Sequence, residues 1–303
     1  GSGQQDRDEA LPMIPNYKPF QFIADHLTRQ GIAVLRYDDR GVGQSTGDPS
    51  SATSADFAQD AEAALTYLRS RPEINPKQIG LLGHSEGSLI AAMIAARNPD
   101  VAFVISMAGP AVSGYDLLLV QSERILRTTD MTEEEIKTAM AEQRQSLDLT
   151  VAGDWEGLEA LLLEVGHRQI EALPTAQKEA LGDPDAYLKQ QIAKSMISMK
   201  GWLRYFITHN PADDWAQVKV PVLALFGGLD TQVDKAQNRP AMEAALADNS
   251  DVTIQVFDQA NHLFQQAVTG NPEEYATLPA EFLPGFLDTI AAWLLAQVDV
   301  SRD

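Results

Sequence analysis

The sequence predicts an α/β fold, in which a mostly parallel sheet is flanked by helices and interrupted by a long helical insertion. Short apolar runs of strand length alternate with amphipathic helical stretches, a pattern typical of parallel strands with helices on both faces. Within this pattern, residues 78–96 read as a strand, a tight turn and a helix. The alternation stops at Pro110 and resumes at Pro221, and the residues between them contain no convincing strand.

Hydrophobic periodicity defines the individual elements. Apolar residues at helical intervals predict helices that bury one face, and short continuous apolar runs predict buried strands. Before the insertion these elements are a helix at 20–27, a strand at 32–37, a helix at 54–71, the strand, turn and helix of 78–96, and a strand at 101–106. After it they are a strand at 220–226, a helix at 235–246, a strand at 252–257 and a last helix at 286–298.

The insertion spans about 110 residues, far more than an ordinary loop. Thr132 and Glu135 form a capping box at the start of one helix, and apolar residues repeat at helical spacing beyond it. We therefore predict a helical lid at 111–215, inserted into a core that is formed by 1–110 and 216–303.

Composition excludes several classes of partner. The 303 residues carry a formal charge of −20, which opposes binding to nucleic acid or to anionic membrane surfaces. The absence of cysteine excludes disulfides, thiolate metal sites and a cysteine nucleophile in this chain. No apolar run approaches the ~20 residues of a membrane span. The compartment, bacterial cytoplasm or periplasm, stays open.

The turn at 83–87 has the sequence Gly-His-Ser-Glu-Gly and is the strongest chemical signal. A Gly-x-Ser-x-Gly turn between a strand and a helix is typical of a nucleophile elbow, which holds its serine in a strained conformation with positive φ. Gly83 and Gly87 let strand and helix approach each other. We predict that Ser85 is exposed above the strand end, and that the N–H of Glu86 points to the same place from the helix N-terminus.

A serine nucleophile needs a base, and one of the five histidines is best placed to serve. His262 follows the last strand by a short loop, where functional groups of a parallel sheet gather. His84 is too close in sequence to reach the Ser85 hydroxyl. His26 lies within a helix, and His167 and His209 fall in the insertion.

The base in turn needs a carboxylate that holds its tautomer. Asp230 follows the preceding strand after two glycines, so we predict it as the acid, with Asp258 and Asp234 as substitutes. The chain order Ser85, Asp230, His262 is the one expected for this type of sheet enzyme.

Four motifs together are typical of one known family. They are the turn at 39–45 after a strand, the Gly-x-Ser-x-Gly at 83–87, the Gly-Gly-Leu-Asp at 227–230 and the Asn-His pair at 261–262. The chain resembles the α/β-hydrolases and, among them, bacterial serine esterases similar to the prolyl-aminopeptidase-like hydrolases. The resemblance implies Ser85 as nucleophile, Asp230 as acid and His262 as base.

The resemblance extends to the first residues. Gly1-Ser2-Gly3 resembles the His-Gly-x oxyanion loop that follows the family's third strand, although the histidine position would lie just before residue 1. Carried over, the Ser2 amide joins that of Glu86 in an oxyanion hole, with Gln4 as the second choice.

The resemblance also implies missing strands. The predicted strands correspond to the family's fourth to eighth, and the family's third strand lies between its fourth and fifth. A sheet without that strand would bury two unpaired edges. We therefore expect that an upstream segment, or a separate chain, supplies the missing strands.

The predicted function is hydrolysis of carboxylic esters with small to medium acyl groups through an acyl-enzyme, without metal or organic cofactor. An apolar stripe that includes Met199, Trp202 and Phe206 is the candidate substrate pocket, with packing between helices as its other interpretation. The oligomeric state stays open.

Three other functions remain. An aminopeptidase of the same family would need a carboxylate in the lid to bind the free amine, for which Glu164 and Glu171 are candidates. A thioesterase is also compatible, as is a non-catalytic binding protein that kept the scaffold.

Overall fold

The computed structural model describes residues 4–298. Its centre is a parallel sheet of four strands that lie side by side in chain order. The strands are β1 Leu81–His84, β2 Val104–Met107, β3 Val222–Gly227 and β4 Val252–Phe257. Val104 pairs with both Leu81 and Val222, so the first residues of the strands are in register. All carboxyl ends therefore meet at one edge, and the predicted α/β fold is confirmed.

Helices cover both faces of this sheet. Along β3, Val222, Ala224 and Phe226 face one core cluster, and Leu223 and Leu225 face the other. This alternation follows from the two-residue period of a strand. Helices α1 (Pro19–Thr28) and α12 (Phe286–Gln297) pack in the second cluster. The first cluster includes side chains of α2 (Ser54–Arg69), α3 (Glu86–Ala95) and α11 (Lys235–Ala245).

The chain between β2 and β3 is helical. Its elements are α4 Gly114–Leu126, α5 Glu133–Ala152, α6 Trp155–Ala172, α7 Thr175–Leu181, α8 Pro184–Ser198, a π-helix at Met199–Leu203, α9 Arg204–Thr208 and α10 Pro211–Trp215. The predicted capping box of Thr132 and Glu135 begins α5. Leu158, Leu188, Ile192 and Met196 form a cluster of their own. Leu117, Leu147, Phe206 and Trp215 instead join the first core cluster, so part of the segment packs directly on the core.

Residues 32–37 differ from the buried strand that the sequence predicts. They belong to no strand ladder, and among residues 4–298 no backbone hydrogen bond joins 33–37 to another segment. Tyr37 is 40% exposed. A cavity of about 460 Å³ is lined by residues 32–37 on one side and by 78–83, the start of β1, on the other. The prediction of a paired strand was wrong for this chain because a ladder needs a neighbouring backbone, and none of the described segments supplies one.

Within the described range, every helix is too short or too polar to cross a membrane.

Candidate active site

The turn between β1 and α3 has the strained geometry that its sequence predicts. Ser85 has φ +54° and ψ −120°, a conformation that L-residues rarely adopt and that costs on the order of 1–3 kcal/mol. A Cβ on Gly83 would overlap the carbonyl of Gly87. Gly83 is thus required for the close passage of strand and helix. Ser85 is partly exposed at the carboxyl end of β1.

Asp230 and His262 meet at the same edge of the sheet. His262 Nδ1 lies 2.8 Å from Asp230 Oδ2, and both side chains are almost fully buried. The other carboxyl oxygen, Oδ1, accepts from the main-chain N–H groups of Gln232 (2.8 Å) and Val233 (2.9 Å). These bonds fix the carboxylate, so Nδ1 of His262 carries the proton and Nε2 is left as the basic nitrogen.

A glycine allows the loop after β3, which carries Asp230, to approach the loop after β4, which carries His262. A Cβ on Gly228, after β3, would overlap the main chain of Asp258, after β4. The alternative acids lie elsewhere, since the Asp258 side chain is 90% exposed and Asp234 caps α11 and pairs with Arg124 at 3.0 Å.

The loop of His262 also touches the elbow itself. His84 Nε2 lies 2.8 Å from the main-chain oxygen of His262, and the two rings are 4.6 Å apart. No hydrogen bond between the Ser85 hydroxyl and the His262 ring occurs among the contacts of residues 4–298. Such bonds are often long in unliganded enzymes and tighten when substrate binds. The structure thus brings Asp230 and His262 together and holds His262 beside the residue that precedes Ser85.

Of the two predicted oxyanion donors, Glu86 and Ser2, the structure describes only Glu86. Glu86 is the first residue of α3, where main-chain N–H groups have no acceptor within the helix. Ser2 lies outside the described residues. Gln4, the second choice, is exposed.

The side chain of Glu86 forms contacts that sequence reasoning missed. Its Oε1 accepts from the Ser54 hydroxyl (2.6 Å) and from the Trp202 indole (2.8 Å). Oε2 is buried without a hydrogen-bond partner among the described residues. Burial raises the pKa of the Glu86 carboxyl, against the opposing effect of these two hydrogen bonds. An acid directly after the serine was visible in the sequence, but its partners are 32 and 116 residues away.

The three predicted pocket residues divide into two groups. Trp202 and Phe206 stack at 5.3 Å with nearly parallel rings, and both belong to the first core cluster. Met199 packs on the separate helical cluster of the insertion. Trp202 lies in the π-helix, an element that is frequent at functional sites.

We expect Glu86→Gln to change how stability depends on pH. Because the Glu86 pKa is raised in the folded state, the unfolded chain loses this proton first as pH increases, and wild-type stability falls over that interval. The variant lacks this loss. Its stability relative to wild type should therefore rise as the pH increases from below the ordinary Glu pKa to above the raised pKa of Glu86 in the folded state. Urea unfolding at a series of pH values measures this. Glu164→Gln, in an exposed position on α6, is the control; a pH-independent difference for Glu86→Gln would contradict the expectation.

Two family models and an esterase are similar to parts or all of this chain. Residues 13–161 match the family model described as serine aminopeptidase S33, and residues 189–280 match that of the dienelactone hydrolase family. Esterase EstD of Thermotoga maritima is 27% identical over 97% of this chain, which spans 60% of the length of EstD.

Two solved structures share the fold. Proline iminopeptidase of Mycobacterium smegmatis aligns with a TM-score of 0.50 at 21% identity, covering 94% of this chain and 86% of its own. A monoacylglycerol lipase of Paleococcus ferrophilus aligns with a TM-score of 0.50 at 19% identity, covering 92% and 89%.

The parallel sheet, the strained serine turn and the two family models agree on the α/β-hydrolase fold for this chain. Within that fold, the chain is related to the esterases, as the sequence predicts.

Proposed function

We propose that the chain carries the active site of a serine hydrolase that cleaves carboxylic esters of small to medium acyl groups. The observation that supports this best is the buried 2.8 Å bond between Asp230 and His262, at the strand ends where the strained Ser85 also lies. Relatedness to an esterase points to the same chemistry.

In the proposed reaction, Nε2 of His262 takes the proton of Ser85 as its oxygen attacks the ester carbonyl. Asp230 holds the tautomer and stabilises the imidazolium that forms. The N–H of Glu86 binds the tetrahedral oxyanion, together with a second donor for which Ser2 is our candidate; each donor contributes about 3 kcal/mol. His262 then protonates the leaving alkoxide, and water repeats the sequence on the acyl-enzyme.

We further propose that 111–215 act as a lid over a core of 1–110 and 216–303. The indole of Trp202, near the end of this segment, bonds to the residue next to Ser85, which supports a position over the site. Trp202 and Phe206 would line the acyl pocket, with Met199 further along the same segment.

A fluorophosphonate probe and a panel of p-nitrophenyl esters test this proposal. We expect one label per chain at Ser85, and the highest kcat/KM between acetate and medium-chain acyl groups. Label at another residue, or hydrolysis that survives full labelling, would overturn it.

An aminopeptidase is the second candidate, because the first family model carries that description. The two acids proposed to bind a substrate amine, Glu164 and Glu171, are both exposed on α6, which gives this function less support. Aminoacyl anilides and thioesters in the same panel separate aminopeptidase and thioesterase from esterase. A chain that binds but turns over none of them would be a non-catalytic relative.

We also propose that a further β-strand, from an upstream segment or from a separate chain, fills the cavity between residues 32–37 and β1. The cavity is lined by residues 32–37 and by 78–83, and its lining includes apolar residues such as Val34, Leu81 and Ile79. The N–H of Asp39 donates to the main-chain oxygen of Gln5, and the N–H of Gln5 donates to Oδ2 of Asp39. Residue 5 is thus held just after the segment 32–37, so a strand that leads to it would end at the same edge as its neighbours and run parallel to them.

Hydrogen exchange tests the strand. We expect the amides of 33–37 to exchange rapidly in the 303-residue chain and to gain at least about 100-fold protection when the segment or chain that supplies the further strand is present. Equal protection in both would contradict the proposal.

A further inference from the structure

A second histidine supports the loop that carries His262. His84 ends β1 and is 7% exposed. Its Nε2 lies 2.8 Å from the main-chain oxygen of His262. A carbonyl oxygen only accepts, so Nε2 of His84 is the donor in this bond.

A buried carboxylate lies on the other side of the same ring. His84 Nδ1 is 3.6 Å from Oε2 of Glu9, and both side chains are only 9% exposed. Glu9, His84 and the His262 main chain therefore form a continuous line. His262 is thus held by two carboxylate–imidazole contacts. Asp230 contacts the His262 ring directly, and Glu9 contacts the His84 ring, which bonds to the main chain of His262.

The rest of the loop is held by other groups. Asn261 Oδ1 accepts from the N–H groups of Leu263 and Gln265, and the Tyr17 hydroxyl donates to the Leu263 oxygen at 2.6 Å. Phe264 has φ +58°, so the loop has a strained turn that these bonds maintain. Among the described contacts, His84 is the group that binds the carbonyl of His262 itself.

We infer that His84, backed by Glu9, is a positioning residue that fixes the main chain of His262 and so sets the distance between its ring and Ser85. This inference rests on the proposed function. His84 then has a role other than proton transfer, since its Nε2 already donates to the main-chain oxygen of His262. A displacement of a reacting group by about 1 Å lowers rates by roughly 100-fold, which sets the size of effect to expect.

The test compares two amides at position 84. In His84→Gln the side-chain nitrogen reaches the place of Nε2 and can donate to the His262 carbonyl. In His84→Asn the shorter side chain places its nitrogen near the position of Nδ1, where it cannot donate to the His262 carbonyl. With p-nitrophenyl acetate, we expect the Gln variant to keep kcat within about 3-fold of wild type, and the Asn variant to lose 10- to 100-fold in kcat with little change in KM.

Urea unfolding shows whether the two variants are equally stable, and Glu9→Gln is expected to fall between them in kcat. Equal kcat for the Gln and Asn variants would overturn the inference, as would a loss in the Asn variant that appears only in KM. Failure of the proposed function would look different, because Ser85→Ala would then retain the activity of wild type whatever residue stands at position 84.

Discussion

Replacing Ser85 by alanine is expected to lower kcat for p-nitrophenyl acetate by roughly 10⁴- to 10⁶-fold while the fold stays intact. The substitution removes the oxygen that forms the acyl-enzyme, and no other described group takes its place at the carboxyl end of β1. The backbone at this position has φ +54°, which alanine tolerates as poorly as serine. Stability should therefore change little, and steady-state kinetics with urea unfolding measure both quantities.

The matched control is Ser88→Ala in α3, the helix that follows Ser85. Ser88 is buried and hydrogen-bonded to the Ser106 hydroxyl, so its loss is expected to reduce stability by about 1 kcal/mol and leave kcat almost unchanged. Wild-type hydrolysis by the Ser85→Ala protein would end the serine hydrolase assignment.

The second large effect is expected at Asp230. Asparagine there keeps the shape but offers an amide, so the His262 ring turns or adopts the tautomer with its proton on Nε2. That nitrogen can then no longer accept a proton from Ser85. We expect kcat near pH 7 to fall by about 10⁴-fold with a small change in KM.

Asp258→Asn is the control, because its side chain is 90% exposed and was the alternative acid. We expect that variant to have wild-type kinetics. If instead Asp258→Asn were inactive and Asp230→Asn fully active, the acid would have been assigned to the wrong residue.

The fold class and the geometry at the elbow could be predicted from sequence because both depend on local patterns. Alternating strands and helices, and a break at Pro110, are read directly from hydrophobic spacing. The turn at 83–87 needs glycine at position 83, because a Cβ there would overlap the main chain of Gly87. The contact between Asp230 and His262 was also predictable, since each follows one of two adjacent strands.

The contacts of Glu86 and His84 could not be predicted in this way. Trp202 is 116 residues from Glu86, and the His262 carbonyl is 178 residues from His84. Each depends on how the insertion or the last loop folds back, which no local pattern encodes. The predicted pocket stripe was also divided, because Met199 packs on the helical cluster of the insertion whereas Trp202 packs against the first core cluster.

Residues 32–37 have the composition of a strand, but a strand is completed only by its neighbours. The outer edge of β1 and residues 33–37 across the cavity both present N–H and C=O groups that no described backbone pairs. Free edges of this kind template the addition of strands from other molecules. The outer edge of β1 is thus also a place where copies of this chain are prone to aggregate.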